Sequence, residues 1–388
     1  MMNVYEKIGL QRVINASGRM TALGVSTLSD QVAKAAVEGG QSYVVITDLY
    51  KKAGEIISTY TKAEDSCPTC SASAAIAITI AAIISKGKKS IIEKLPWSDG
   101  LANEIIIQKG HVVQYGAPMT SMIKLGGGVP VEVGMANKVA PEDIEEAIND
   151  KTAALFYVKS HHCVQKGMVS ISEMIEIAHR HNLPLMIDAA AEEDFEKYVA
   201  MGADAVIYSG AKALEATTSG FVTGKKEIME NCRKQYIGIG RAMKVGKEQI
   251  MGLLAALDRY YNKDHDLEIK TQLEIVDYLN KEIAKIPGLS TKTIQDEAGR
   301  EIYRSQVKVD EEKVGKTAIQ IDKELREGNP SIHCRTHLLN QGIMSFDPRP
   351  LVEGDKELIV EKLKKVIGEQ KWLIGIKIEY VWMYLRVH

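Results

Sequence analysis

The sequence predicts an α/β protein with a mainly parallel sheet, followed by a smaller α+β domain. Through the middle of the chain, short apolar runs alternate with helical patterns, which is typical of βαβ units with parallel strands. From about Gly246 the pattern changes to a long helical region, a few alternating segments and a charged helix. A chain of 388 residues is long enough for about two to three domains, in agreement with this change.

Five short apolar runs are the strand candidates of the first part, and their ranges are 104–108, 153–158, 184–188, 204–208 and 220–223. Between them, the segment 141–149 begins with a proline and acidic residues, and 172–181 ends with basic residues. Both features favour helices. In the later part we expect a helical region over 246–285, strand segments at 305–309, 331–333 and 342–346, and a helix over 355–367.

The composition argues against nucleic-acid and membrane partners. Lys and Arg total 49 and Asp and Glu 51, so the net charge is −2 and no large basic field is expected. The longest strongly apolar stretch, 74–84, is shorter than the roughly 18 to 20 residues that span a bilayer. The N-terminus does not resemble a signal peptide, and five cysteines in a long chain do not indicate a disulfide framework. We therefore expect a cytoplasmic protein.

Two charged residues follow neighbouring strand candidates. Asp188 ends the run 184–188, and Ser209 and Lys212 lie just past the run 204–208. The interval between Asp188 and Lys212 leaves room for one helix and a returning strand. Both side chains would then emerge at the carboxyl edge of a parallel sheet, where such sheets bind ligands.

Two further features suit a phosphorylated aromatic ligand. Cys70, Ser71, Ala72 and Ser73 directly precede an apolar helix, whose N-terminal N–H groups and dipole favour a phosphate. His111 follows another strand candidate and could stack on a ring. An amine, a carboxylate, a phosphate loop and a stacking group are what pyridoxal phosphate requires from a protein. The residues therefore predict a pyridoxal-phosphate site.

Longer motifs resemble the aspartate-aminotransferase-like (fold type I) pyridoxal-phosphate enzymes and, within them, the selenocysteine synthase family. They include QRVINASGRM, KGHVVQYG, SGAKALEATTSGFVTG and GRAMKVGKEQIMGLLAAL, so the resemblance covers most of the chain. It implies a seven-stranded sheet and a homodimer or higher homo-oligomer. It also implies three parts: an N-terminal segment (1–30) that joins the small domain, a large cofactor-binding domain (31–248) and a small C-terminal domain (249–388).

The resemblance also assigns roles to residues. It implies that Lys212 is the Schiff-base lysine, that Asp188 pairs with the pyridinium nitrogen, and that Ala190 and His111 pack on opposite faces of the ring. The implied phosphate ligands are Ser209 and the loop Cys70, Ser71, Ala72 and Ser73. The implied substrate contacts are Asn15, Ser17 and Arg349. Of these, Arg349 would bind the substrate carboxylate, and Arg335 is the alternative residue for that role. One departure is that Glu215 and Ala216 stand where the family usually has two glycines.

Within this family the chain resembles the D-glucosaminate-6-phosphate ammonia-lyase group. The matching motif begins within the first 15 residues, so we do not expect the tRNA-binding N-terminal module of selenocysteine synthase. The implied reaction is α,β-elimination from a 2-amino-3-hydroxy sugar acid to a 2-keto-3-deoxy acid and ammonia, with Lys212 as the base. Other pyridoxal-phosphate reactions remain open, namely selenium transfer, transamination, racemisation and desulfuration through Cys334. A non-catalytic protein that binds pyridoxal phosphate also remains open.

Three motifs have alternative interpretations. Cys67 and Cys70 form a lone CxxC that could bind zinc with His161 and His162, but we favour the phosphate loop and expect no metal. The segment 209–212 fits the S-x-x-K of penicillin-binding proteins, whose S-D-N and K-T-G partners do not occur in this sequence. The segment 315–317 lacks the preceding glycine of a P-loop.

Overall fold

In a computed structural model the chain forms two compact units, and residues 3–160, 162–296 and 300–368 are described. One unit is Leu28–Lys263, and the other combines Met1–Thr27 with Asp264–His388. The sequence-based boundary after residue 248 falls inside the helix Lys247–Asn262, which belongs entirely to the first of these units. None of the described helices combines the length and apolar character needed to cross a bilayer.

The strands and helices are numbered in chain order. The strands are β1 (Val13–Ala16), β2 (Asp65–Thr69), β3 (Glu104–Gln108), β4 (Val129–Val133), β5 (Thr152–Val158), β6 (Leu185–Asp188), β7 (Ala205–Ser209), β8 (Gly220–Gly224), β9 (Leu289–Gln295), β10 (Tyr303–Val309), β11 (Ser331–Cys334) and β12 (Ile343–Phe346). The helices are α1 (Asp30–Gln41), α2 (Ile46–Thr61), α3 (Ala72–Ser85), α4 (Lys89–Ile92), α5 (Met119–Leu125), α6 (Pro141–Glu145), α7 (Ile171–Arg180), α8 (Lys197–Ala200), α9 (Lys226–Lys234), α10 (Lys247–Asn262), α11 (His265–Ile283), α12 (Glu311–Val314), α13 (Ala318–Glu327) and α14 (Asp355–Gly368).

The unit Leu28–Lys263 contains a seven-stranded sheet in the order β2-β8-β7-β6-β5-β3-β4. All pairs from β7 to β4 are parallel, and β8 runs antiparallel to both of its neighbours. The predicted α/β class with a mainly parallel seven-stranded sheet is confirmed. The five predicted strands correspond to β3, β5, β6, β7 and β8, with ends that differ by at most one residue.

The longest apolar stretch of the sequence is the core helix α3. Its residues from Ala74 to Ala82 are all buried, because α3 packs against the strands in a cluster that includes Ile105, Phe156 and Val222. A helix that is apolar on every face is expected in such an interior position. The burial of α3 brings its first turn, with Ser71 as N-cap, to the edge of the sheet at β2 and β8.

The two predicted helices of this unit differ in outcome. The helix α7 begins at a capping box, in which Ser170 and Glu173 bond each other's backbone N–H groups, and it covers most of the predicted range 172–181. The predicted helix 141–149 is too long, since α6 ends at Glu145. Beyond it, Asn149 accepts a hydrogen bond from the N–H of Lys151 and turns the chain into β5.

The second unit is a smaller α+β assembly, as predicted. β1 pairs in parallel with β11, and β9, β10 and β12 form an antiparallel sheet. Helices α11, α13 and α14 supply a core around Leu279, Ile321 and Ile359. The helical region predicted over 246–285 consists of the two helices α10 and α11, and the side chain of Asp264 caps the N-terminus of α11.

Candidate active site

The carboxyl ends of β6 and β7 bring the two principal predicted residues to one edge of the sheet. Asp188 is the last residue of β6 and lies opposite Ile207 of β7, and Lys212 follows in the turn after β7. Burial raises the pKa of Asp188, while the Ala190 N–H, which donates to Oδ1 at 3.0 Å, and the Lys212 ammonium act in the opposite direction. Such a carboxyl group is suited to a bound cationic partner.

The start of α3 forms a close junction with β8. Ser71 accepts a hydrogen bond from the Ala74 N–H at 3.0 Å, so its hydroxyl caps the helix. Gly220 lies between Thr69 and Ser209 in the sheet register. A β-carbon on Gly220 would lie 2.7 Å from the Ser71 carbonyl carbon and from the Ala72 nitrogen. The predicted phosphate loop and Ser209 are therefore neighbours, and only a glycine permits this approach.

His111 is a fully buried, neutral side chain. Burial lowers its pKa to about 4. Its Nδ1 accepts a hydrogen bond from the Val158 N–H at 3.3 Å, so the proton is on Nε2. Nε2 is buried and has no partner of ordinary hydrogen-bond geometry among the described residues. The ring packs edge-on against Tyr157, with centroids 4.4 Å apart.

Three residues near this edge were not predicted. The hydroxyl of Tyr115 is buried, has no partner of ordinary hydrogen-bond geometry in the described chain, and lies close enough to Ser73 and Asp188 for both to affect its pKa, which burial raises. Lys159 follows β5, and its charge contributes to lowering the pKa of His111. Burial and then Asp188 raise the pKa of Cys163 to about 12. Tyr115 stands in the motif KGHVVQYG, four residues after His111. Its position in that motif is the one feature of the sequence that could have identified it as a site residue.

The predicted substrate arginines belong to the other unit and form a charged cluster there. Arg349 donates from Nε and Nη2 to the two carboxylate oxygens of Asp347, at 2.9 and 2.8 Å. Arg304 donates to the same carboxylate at 2.9 Å, and Asp347 is fully buried. Arg335 is half-buried and is not bonded to a carboxylate among the described residues. Its pKa is lowered by burial and by Arg304 and Arg349.

Asn15 and Ser17 lie in a tight turn after β1. The Asn15 side chain accepts from the Ser17 N–H and donates to the Gly18 carbonyl, both at 2.9 Å. The amide of Asn15 therefore shapes this turn. The structure thus groups Asp188, Lys212, Ser209, His111 and the phosphate loop in one unit. It groups Asn15, Ser17, Arg335 and Arg349 in the other.

The alternative sites have little support. Within residues 3–160, 162–296 and 300–368, no group of three or more His, Cys, Asp or Glu side chains could hold a metal ion, and His161 lies outside the described residues. Cys334 is buried and its thiol donates to Asp322 at 3.4 Å. Burial and the Asp322 carboxylate raise the pKa of this thiol, so it is a poor nucleophile for desulfuration.

Comparisons with known proteins agree with the predicted family. A model of the L-seryl-tRNA selenium transferase (SelA) family matches residues 13–327. The chain is 48% identical to D-glucosaminate-6-phosphate ammonia lyase of Salmonella typhimurium over 94% of this chain and 98% of the relative. It is 40% identical to 5'-C-glycyluridine monooxygenase-decarboxylase of a Streptomyces species, over 94% and 92% of the two chains.

Comparison with solved structures agrees with the sequence comparisons. A structure of D-glucosaminate-6-phosphate ammonia-lyase superposes with a TM-score of 0.91 at 46% identity and covers 95% of this chain and 99% of that one. An aspartate aminotransferase from Thermus thermophilus has a TM-score of 0.52 at 14% identity over 93% of both chains, which shows a shared fold alone.

The chain belongs to the L-seryl-tRNA selenium transferase family of pyridoxal-phosphate enzymes. Its own residues fit the cofactor that the family implies. Asp188 is a buried carboxyl group whose pKa burial raises, and His111 Nε2 and the Tyr115 hydroxyl are buried groups with no partner of ordinary hydrogen-bond geometry among the described residues. A polar ligand that fills this place would satisfy groups that are costly to leave unpaired.

Proposed function

We propose that this chain is a pyridoxal-phosphate-dependent ammonia-lyase that converts a 2-amino-3-hydroxy sugar acid to a 2-keto-3-deoxy acid and ammonia. The proposed substrate is D-glucosaminate 6-phosphate. The observation that carries this proposal is the 48% identity, over nearly the full length of both chains, to an enzyme named for that reaction. The buried Asp188 beside Lys212 supports it, because the reaction needs both a base and a protonated cofactor ring.

Each predicted residue has a defined task in this proposal. When bound, pyridoxal phosphate withdraws electrons from the substrate α-carbon. The carboxylate of Asp188 would accept a hydrogen bond from the ring nitrogen and keep a proton on that atom. Ser209 and the loop Cys70, Ser71, Ala72 and Ser73 would hold the phosphate, and His111 and Ala190 would contact the two faces of the ring.

Lys212 first holds the cofactor and then acts as the base. With the substrate bound, the free amine of Lys212 would accept the α-proton, and the 3-hydroxyl would leave as water after gaining a proton. The released enamine tautomerises to an imine, and water hydrolyses it to the keto acid and ammonia. One water is lost and one is gained, so the net change is the loss of ammonia.

For the substrate carboxylate, Arg335 is a better candidate than Arg349. The Nε and Nη2 atoms of Arg349 already form a bidentate pair with Asp347. Arg335 lies close enough to Arg304 and Arg349 for their charges to lower its pKa, so a bound anion would relieve repulsion among three guanidinium groups. Asn15 and Ser17, which form the turn after β1, remain proposed contacts of the substrate.

We further propose that the enzyme is a cytoplasmic homodimer or higher homo-oligomer. The segment from Tyr43 to Ile46 exposes four consecutive apolar side chains, and Tyr43 is entirely accessible in the single chain. Such a patch is suited to contact with a second copy. Light scattering of the purified protein tests the oligomeric state, and a mass of one chain would contradict it.

The test of the reaction uses the cofactor-loaded protein and D-glucosaminate 6-phosphate. We expect equal amounts of ammonia and 2-keto-3-deoxy acid without a keto-acid co-substrate, and a slower rate when the α-hydrogen is deuterium. Lys212→Ala should lose at least about a thousandfold in rate, because it lacks both the cofactor bond and the base. Lys225→Ala, which removes a lysine paired with Glu64 on the surface, is the control.

Two results would contradict the proposal. One is full activity in Lys212→Ala. The other is oxygen consumption with release of carbon dioxide in place of ammonia. That outcome would indicate chemistry like that named for the 40% identical Streptomyces relative.

A further inference from the structure

The turn that carries Lys212 contains a non-glycine residue in the left-handed region. Glu215 has a φ of 55°, a conformation in which an L side chain crowds its own backbone. The N–H of Glu215 donates to the Lys212 carbonyl at 3.2 Å, and the N–H of Ala216 donates to the Gly210 carbonyl at 2.9 Å. Lys212 therefore lies inside a turn whose closure depends on the backbone of Glu215.

The side chain of Glu215 is bound to α10. Its carboxylate forms an ion pair with Arg259, and the two side chains are only 21% and 27% exposed. An ion pair at this depth is screened less by solvent than one on the surface. The following residues are bound to the same helix, since the Thr217 hydroxyl donates to the Gln249 carbonyl and the Gln249 amide donates to the Thr218 carbonyl, both at 3.0 Å.

We propose that Glu215 and Arg259 form a positioning pair that holds the Lys212 turn in its left-handed conformation. Glycine adopts this conformation without crowding, so a chain with glycine at this position would not need the pair. With glutamate, the attraction to Arg259 offsets the crowding and fixes the position of the Lys212 backbone. This inference rests on the proposed role of Lys212. It explains how the turn tolerates Glu215 where the sequence departs from its family.

The rate at which the cofactor attaches to Lys212 tests the pair without any substrate. Cofactor-free protein is mixed with pyridoxal phosphate, the absorbance of the lysine-bound cofactor is followed, and borohydride reduction with mass measurement counts the bonds. Arg259→Ala should slow attachment about tenfold, which corresponds to ~1.4 kcal/mol in the barrier. Glu215→Gln, which loses the charge and keeps the β-carbon, should show a similar loss.

Rescue by glycine separates positioning from a general loss of stability. Glu215→Gly should attach the cofactor at close to the wild-type rate, and the double variant Arg259→Ala/Glu215→Gly should return to within about twofold of it. Lys225→Ala, which breaks the exposed pair with Glu64 in the same unit, should leave the rate unchanged. If Arg259→Ala does not fold, the attachment rates of Glu215→Gln and Glu215→Gly are compared instead, and the positioning pair predicts that only Glu215→Gln is slow.

The outcomes distinguish this inference from the proposed function. A wild-type rate in Arg259→Ala and Glu215→Gln, or a double variant as slow as Arg259→Ala, overturns the positioning pair. If the wild-type protein itself forms no reducible bond at Lys212, the proposed role of that lysine fails instead.

Discussion

At the scale of single residues, burial shifts the pKa values of two groups that would face the cofactor. Burial raises the pKa of Asp188 and lowers that of His111 to about 4, so burial disfavours the charged form of both groups. A cationic ring nitrogen would reverse this tendency for Asp188, because the charge of the ring stabilises the carboxylate. His111 has no such partner and stays neutral, which suits a ring that stacks on an aromatic cofactor.

The burial of His111 leads to a prediction about how the stability of the folded chain depends on pH. In the unfolded chain this imidazole takes up a proton near pH 6.5, but in the folded chain only near pH 4. The unfolded chain therefore binds more protons between these values, and the folded state loses stability as the pH falls from about 6.5 to about 4. In His111→Phe we expect the loss between pH 7 and pH 5 to be smaller by about 2 kcal/mol.

Urea unfolding of the cofactor-free protein at the two pH values measures this difference. His181→Phe is a control at a partly exposed histidine of the same unit, which is paired with Glu145. Equal pH dependence in wild type and His111→Phe would contradict the assigned burial.

Sequence motifs identified some single residues and not others. Asp188 and Lys212 follow clear strands, so their meeting at the sheet edge could be predicted. Tyr115 stands in a loop without periodicity, and only the fold brings its hydroxyl near Ser73. The preference for Arg335 over Arg349 also required the structure, because it depends on which guanidinium is already bonded to Asp347.

At the scale of elements, the sequence predicted central strands better than edge strands. β3, β5, β6 and β7 are apolar because they are covered on both faces, and all four were predicted. β2 and β4 were missed, and both are edge strands that contain a proline, Pro68 and Pro130. Proline cannot donate to a sheet hydrogen bond, so it is tolerated at an edge and hides the strand signal.

The close packing of α3 against β8 leads to a prediction about the substitution of Gly220. In Gly220→Ala the new β-carbon would lie 2.7 Å from backbone atoms of the helix start and 2.9 Å from the Tyr208 carbonyl oxygen. Because backbone must shift, we expect a loss of about 1–3 kcal/mol in unfolding free energy. We also expect about tenfold weaker binding of pyridoxal phosphate, since the phosphate loop moves with the helix start.

Absorbance titration with the cofactor and urea unfolding measure the two effects. Gly40→Ala is the matched control, because the nearest atom to its new β-carbon is 3.7 Å away, on Glu248. Within α1 this change should be neutral or stabilising by up to about 1 kcal/mol. The proposed phosphate loop would be wrong if both variants bound the cofactor as tightly as wild type.

At the scale of the whole molecule, the net charge of the chain bears on the activity for which its family is named. Selenium transferases of the family act on a seryl-tRNA, as their name states. Binding of a nucleic acid depends on many contacts between basic side chains and phosphates. Here 49 basic side chains are balanced by 51 acidic ones, so the net charge is −2. A small anionic substrate needs only a local cluster such as the one around Arg335.

The last prediction is that tRNA is not a ligand. In a gel-shift titration at physiological salt, we expect no complex with bulk or seryl-tRNA at protein concentrations up to about 10 µM, a range in which basic proteins already bind non-specifically. The same tRNA should leave ammonia release from the sugar acid unchanged, because it would not reach the site. A selenium transferase of the family serves as the positive control. A shift that weakens steeply with added salt would show phosphate contacts that the balanced charge does not predict. Selenium transfer would then become the leading alternative to elimination.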